Sequence, residues 1–217
     1  MKYVMILVEG QTEESFVNKV LKPHFEDLEI YLDVTMVCTK HTKGARNHRG
    51  GVNNYLHVNN DLKRLLRSSH YNLVTTFLDY YALPLDFPGQ VNKPTINAYS
   101  IVNHLEQEFY NDIGNHKFKP FIMLHEFEAM LFCDIYKLSP YFDTGNLDVL
   151  NTVNEQFESP ELINNSPETA PSKRILKELP GYKKTLHGPI ATESIGLDVI
   201  RENCSHFDSW ITYIENI

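Results

Sequence analysis

The stretch Lys2-Tyr3-Val4-Met5-Ile6-Leu7-Val8-Glu9-Gly10-Gln11-Thr12-Glu13-Glu14-Ser15-Phe16 decides the fold. In an extended chain Val4, Ile6 and Val8 fall on one face and Met5 and Leu7 on the other, so both faces are apolar, as in a strand covered by helices on both sides. A central parallel strand is the expectation. Glu9 and Gly10 stand where that strand leaves the core. The segment from Thr12 to Ser15 suits a helix N-terminus, with Thr12 as the cap and Glu13 and Glu14 in the first turn, and Phe16, Val17, Val20 and Leu21 supply the stripe that the helix buries. In an open α/β sheet, ligands bind beyond the carboxyl ends of the strands, which makes Glu9 a site residue and puts Glu13 one helical turn away.

Two later segments repeat the pattern. Residues 73–78 read as a buried strand that stops at Asp79, and residues 118–124 as another that runs into His125, Glu126, Phe127 and Glu128. If that strand continues through Glu128 the two glutamates share a face; if a helix begins at Glu126 they diverge by about 200°. Between them, residues 80–90 are turn-rich, with Pro84, Asp86, Pro88 and Gly89, and residues 95–110 return to helical spacing. Residues 30–38 favour a second strand, and residues 52–66 a second helix. The loop between these two carries Lys40, His41, Lys43, Arg46, His48 and Arg49 among Gly44, Gly50 and Gly51, the most basic stretch of the chain. Arg46 and Arg49 are its candidates for phosphate contact, a solvated loop being the plain alternative.

From Asn146 onward strand patterns cease. A helix is expected over about 172–179, residues 181–189 bring Lys183, Lys184 and His187, and residues 190–217 read as two helices broken near Cys204. The expected organisation is an α/β domain over residues 1–140 with a helical C-terminal extension, residues 141–217, packed on it.

A chain of 217 residues with 42% hydrophobic content can bury one sizeable core. Its formal net charge of -8 argues against a free-standing, nonspecific nucleic-acid binder, which draws most of its affinity from phosphate neutralisation. A nuclease whose acids hold cations remains compatible with it. Cys38, Cys133 and Cys204 are widely spaced and form no CxxC pair, so they are expected to be buried thiols in a reducing compartment. The apolar runs are strand-sized, and a cytoplasmic protein without membrane contact is expected.

Several carboxylates converging on one crevice repel one another by roughly 4 kcal/mol per pair at 4 Å and an effective dielectric constant of 20. A hard divalent cation, Mg2+ or Mn2+, is their natural compensator, and phosphoryl transfer is the chemistry it suits. Other site types fail on particular residues. His125-Glu126 begins a zinc-protease HExxH but Ala129 stands at the second histidine; His104-Leu105-Glu106 imitates a deaminase HxE without a downstream PCxxC; and neither GxxxxGK[ST] nor GxGxxG occurs.

Three motifs together, Val8-Glu9-Gly10-Gln11-Thr12-Glu13, Leu78-Asp79-Tyr80-Tyr81-Ala82-Leu83-Pro84 and Leu124-His125-Glu126-Phe127-Glu128-Ala129-Met130-Leu131-Phe132, resemble a bacterial family of unknown function whose members look Toprim-like. The resemblance extends through Pro171-Ser172-Lys173-Arg174 to Trp210. It implies a mostly parallel, helix-flanked sheet in which Glu9 and Asp79 bind Mg2+ and act in catalysis. Nucleases of the overcoming-lysogenisation-defect type add a glutamate at the spacing of Glu13. The Toprim DxD pattern is half present, with Tyr81 at the second aspartate, and Glu126 and Glu128 are the candidates for the missing ligand. Lys173 is the candidate for the basic residue that such nucleases place beside the scissile phosphate. The resemblance further implies a nucleic-acid substrate and a partner ATPase of the ABC type in anti-phage defence; a homo-oligomer is compatible with the sequence, which does not fix the oligomeric state. The rival expectation is a Toprim-shaped module that regulates the ATPase without cutting.

If the basic loop meets substrate phosphates, Arg46→Ala with Arg49→Ala weakens nucleic-acid binding and flattens its salt dependence while the fold stays stable. A double variant that melts markedly lower yet binds nucleic acid as before makes the loop structural.

Overall fold

The computed structural model describes residues 1–40, 48–49, 54–163, 166 and 168–217. β1 (Lys2–Val8) is the central strand of the expectation, flanked in parallel by β2 (Ile30–Met36) and β5 (Leu73–Asp79). Beyond β5 lie β6 (Phe118–Lys119) and β7 (Ile122–Met123), both parallel to it, so the sheet runs β2-β1-β5 and then this divided edge. A short antiparallel ladder, β3 (Cys38–Lys40) with β4 (His48–Arg49), follows β2. The helices in chain order are α1 (Gln11–Phe16), α2 (Lys22–Glu26), α3 (Tyr55–Leu65), α4 (Ala98–Ile113), α5 (Thr144–Asn154), α6 (Pro171–Glu178), α7 (Lys184–Ile195), α8 (Leu197–Asn203) and α9 (Ser205–Glu215). Among the described residues no helix is long and apolar enough to cross a membrane.

The alternation read in β1 sorts the two halves of the core. Val4, Ile6 and Val8 join one cluster, with Phe16, Phe127, Phe207, Trp210 and the C-terminal helices, while Met5 and Leu7 join another, with Val58, Leu62, Leu105 and Phe109 of α3 and α4. The C-terminal helices are therefore tied into the sheet. Trp210 of α9 lies flat on Phe121, with ring centroids 4.4 Å apart and planes 11° from parallel, and its Nε1 donates to Thr75 Oγ1 of β5 at 2.8 Å. The fully buried Glu161 accepts from the amides of His206 and Phe207, two of the first donors of α9.

Four local expectations are corrected. The expected strand over residues 118–124 is two dipeptide strands, because Pro120 has no N–H to lend the ladder; Thr76 Oγ1 fills the gap, accepting from the Phe121 amide at 3.0 Å and donating to its carbonyl at 2.9 Å. Helix α1 starts from Gly10 rather than capping on Thr12, which is buried; Glu13 reaches back to accept from the Gly10 amide at 3.0 Å. The C-terminal stretch contains three helices rather than two, since α7 begins at Lys184 and the chain breaks at Gly196 (φ 88°) as well as at Cys204. Of the cysteines, Cys133 is only half-buried, and its Sγ lies 3.6 Å from Cys204 Sγ as a thiol pair. The first helix also changes register: a π turn over Val17–Leu21 precedes α2, whose second residue is Pro23, and a wider turn relieves the clash of that ring with the preceding turn.

Trp210→Ala opens the junction between helices and sheet and is expected to cost about 3–5 kcal/mol in chemical denaturation, whereas Trp210→Phe, which keeps a ring on Phe121 but loses the hydrogen bond to the buried Thr75 and leaves a smaller cavity, costs about 2 kcal/mol. Equal losses in the two variants would contradict this packing.

Candidate functional site

Glu9 follows β1 directly, and its amide is bonded to the Phe77 carbonyl of β5 at 3.3 Å, which sets it next to the end of that strand. Asp79 is the last residue of β5 and is paired with Met123 of β7. After β7, His125 takes φ 61° and turns the chain back, and its carbonyl accepts from the Tyr81 amide at 2.8 Å. Glu126 is extended and a 3-10 segment, Phe127–Cys133, starts after it. Neither geometry weighed for Glu126 and Glu128 is adopted, yet both carboxylates are buried. The turn also brings the Phe127 amide to Asp79 Oδ1 at 3.1 Å, fastening the third acidic segment to the second.

Glu13, Asp79, Glu126 and Glu128 are each at most 5% exposed. Glu13 Oε2 is held by the Gly10 amide, and Glu126 Oε1 accepts from the Ser172 amide in the first turn of α6 at 2.8 Å. At the centre stands a residue to which the sequence reading gave no role. Lys184 Nζ lies 3.1 Å from Glu128 Oε2, 3.4 Å from Asp79 Oδ2 and 3.8 Å from Glu13 Oε1. It gets there because α7 packs tightly on the segments that bear the acids: a Cβ on Gly188, one turn after Lys184, would stand 3.2 Å from Phe127 and 3.4 Å from Thr12. His187 helps to start that helix by accepting from the Lys183 amide through Nδ1 at 2.8 Å.

The one ammonium paired with the cluster among the described residues does not balance five carboxyls. Burial, and then the negative charges of Asp79 and Glu13, push Glu9 up to about 8. Glu13 rises to about 7 through burial and then Asp79, and Glu128 to about 7 through burial against the opposing pull of Lys184. Burial also raises Asp79 and Glu126, and the acids in turn hold Lys184 firmly protonated. Two oxygens in the cluster, Glu9 Oε2 and Glu128 Oε1, are buried without a hydrogen-bond donor.

The donor set fits a hard divalent cation: every side chain offered is a carboxylate, and the two orphaned oxygens have lone pairs to give. As they stand, however, no three His, Cys, Asp or Glu side chains among the described residues are gathered closely enough to hold an ion, and the space among the acids is taken by Lys184. Open clefts lie elsewhere. One of about 380 Å³, lined among others by Tyr99, Asn103, His206 and Tyr213, is bordered by no acid of this cluster.

The remaining expected site residues are Lys173, Arg46 and Arg49. Lys173 is exposed on α6, next to Ser172, while Lys184 makes the ion pairs with the acids. Arg46 lies outside the described residues; Arg49 has its backbone in β4, and its side chain is likewise outside them. The chain entering that basic segment does pass the site, since the Val37 amide bonds to the Val8 carbonyl at 3.0 Å, one residue before Glu9. The signal for Lys184 was a lysine four residues before a helical glycine, which is faint.

A protein-family model described as a domain of unknown function (DUF4276) matches residues 8–215. No curated protein matches the chain, and no solved structure does.

The raised carboxyls carry a pH dependence of definite sign. A carboxyl whose folded pKa exceeds its unfolded value binds more protons folded than unfolded between the two, so stability falls as pH rises through that interval. In chelator, the melting temperature is expected to fall from about pH 5 to about pH 8.5, and Glu9→Gln to flatten the slope, as followed by circular dichroism. A melting temperature that climbs across this window would overturn the charge assignment.

Proposed function

The chain belongs to the DUF4276 family, whose name assigns no activity, and from its site we propose that it is a divalent-metal-dependent, Toprim-like nuclease that hydrolyses phosphodiester bonds. The observation that carries this reading is the convergence of Glu9, Glu13, Asp79 and Glu128 beyond the carboxyl ends of β1 and β5, with buried oxygens left undonated. In a parallel sheet that is where substrates bind, and a set of acids that costs stability there is more readily explained by chemistry than by folding.

In this reading Glu9, Asp79, Glu13 and Glu128 hold Mg2+ or Mn2+, with Glu126 in support. A bound ion supplies an acidified water and charge neutralisation at the phosphate. Glu9, whose Oε2 has no donor, is the residue that would take a proton there. Asp79, fixed at Oδ1 by the Phe127 amide, presents Oδ2 in a set direction. Val37, which leads toward the basic segment, is bonded to β1 one residue before Glu9; in this reading Arg46 and Arg49 remain the proposed contacts for a nucleic-acid backbone and Lys173 a further one. A defence role beside an ABC-type ATPase follows from the Toprim-like resemblance alone.

A second reading has one observation in its favour. The ion pairs of Lys184 with three acids are what a metal-free structural cluster would use, and they suit a non-catalytic module that regulates an ATPase. Nuclease assays on single- and double-stranded DNA and RNA with Mg2+ or Mn2+ separate the two. The enzyme reading expects cleavage that chelator abolishes and that Asp79→Asn or Glu9→Gln lowers by about 100-fold or more. Absence of cleavage on every substrate, alone and with a neighbouring ATPase, decides for the module.

A further inference from the structure

The ammonium of Lys184 touches acids from three separate elements: Glu13 in α1, Asp79 at the end of β5 and Glu128 in the 3-10 segment. No other lysine or arginine among the described residues is ion-paired to any acid of the cluster. Its N···O distances of 3.1, 3.4 and 3.8 Å exceed the roughly 2.0–2.6 Å of metal–oxygen bonds, so the acid oxygens stand roughly 0.5–1.8 Å too far from that position for an ion. Glu128 is fully buried and retains Oε1 without a donor, so the lysine leaves part of the donor set unused.

The lysine is also built to leave. Its stem carries four flexible methylenes, its side chain is 40% exposed, and it sits in the first turn of α7, so the ammonium can swing into water without unwinding the helix. The helix itself stays in place through Gly188, packed against Phe127 and Thr12. We propose that Lys184 is a tethered counter-ion that occupies the metal position, and that the protein takes up a divalent cation by exchanging it for this side chain while Glu13, Asp79 and Glu128 close in. This rests on the metal-dependent reading above. It adds that the resting site is self-occupied, and that Lys184 sets the concentration of cation the protein requires.

The exchange is tested on the intact wild-type chain by brief acetylation with acetic anhydride and peptide mass spectrometry, with and without Mn2+, using the exposed neighbour Lys183 as the internal reference. Lys184 is expected to be protected in chelator and to become at least several-fold more reactive in Mn2+, while Lys183 is unchanged. In parallel, Lys184→Met is expected to melt lower than wild type in chelator, to recover in Mn2+, and to bind Mn2+ in calorimetry at least tenfold more tightly. Should Lys184→Met not fold without metal, Lys184→Met with Glu128→Gln removes one charge of each sign; regained folding in chelator supports the counter-ion role, and failure to fold opposes it. If Mn2+ stabilises the wild type and supports cleavage while Lys184 stays protected, the exchange is wrong and the nuclease reading stands. If Mn2+ neither binds nor stabilises either protein, both fall.

Discussion

The structure depends on a charge imbalance: carboxyls from three chain segments are buried around one lysine. A parallel sheet creates the conditions, since its strands all end at the same edge and whatever follows them is brought together there. Here the followers are Glu9, Asp79 and, one turn after β7, Glu126 and Glu128. Four of the acids are kept by a backbone or ionic partner, Glu13 by the Gly10 amide, Asp79 by the Phe127 amide, Glu126 by the Ser172 amide and Glu128 by Lys184. None of these partners is enough to return the group to its ordinary protonation range, and burial prevails. Regions that depart from the lowest-energy arrangement in this manner are commonly functional ones.

The remainder of the fold serves to hold that edge closed. Apolar residues on opposite faces of β1 feed two separate cores, so helices on both sides restrain the strand that delivers Glu9. The C-terminal helices do more than cover a face. Through Trp210 they grip β5, and through α7 they bring a positive charge that Glu13, Asp79 and Glu128 share.

How much of this could be read in the sequence follows the range of the interactions. Strand β1, the acids that end it and β5, and the parallel, helix-flanked sheet are written locally, in alternation and in abrupt changes from apolar to acidic residues. The capping role of Glu13 was harder, because Thr12 satisfies the same local rule and only the burial of Thr12 decides between them. The conformation after β7 depended on His125 accepting a positive φ, to which no residue pattern pointed. Lys184 was the hardest, lying 105 residues from Asp79, on a helix whose start is marked by neither Ser, Thr, Asp nor Asn. Lys173, chosen by family likeness, sits one residue from a real contact of the cluster, Ser172, and is exposed.

The placement of Lys184 bears on how the chain can be dissected. A fragment ending near residue 140 would keep every strand and every acid, and by secondary structure alone would pass for an autonomous α/β unit. It would also lose the only cation that reaches the cluster among the described residues, together with the indole that clasps β5. The boundary suggested by the order of strands and helices therefore cuts across the contacts that α7 and α9 make with the acids and with β5.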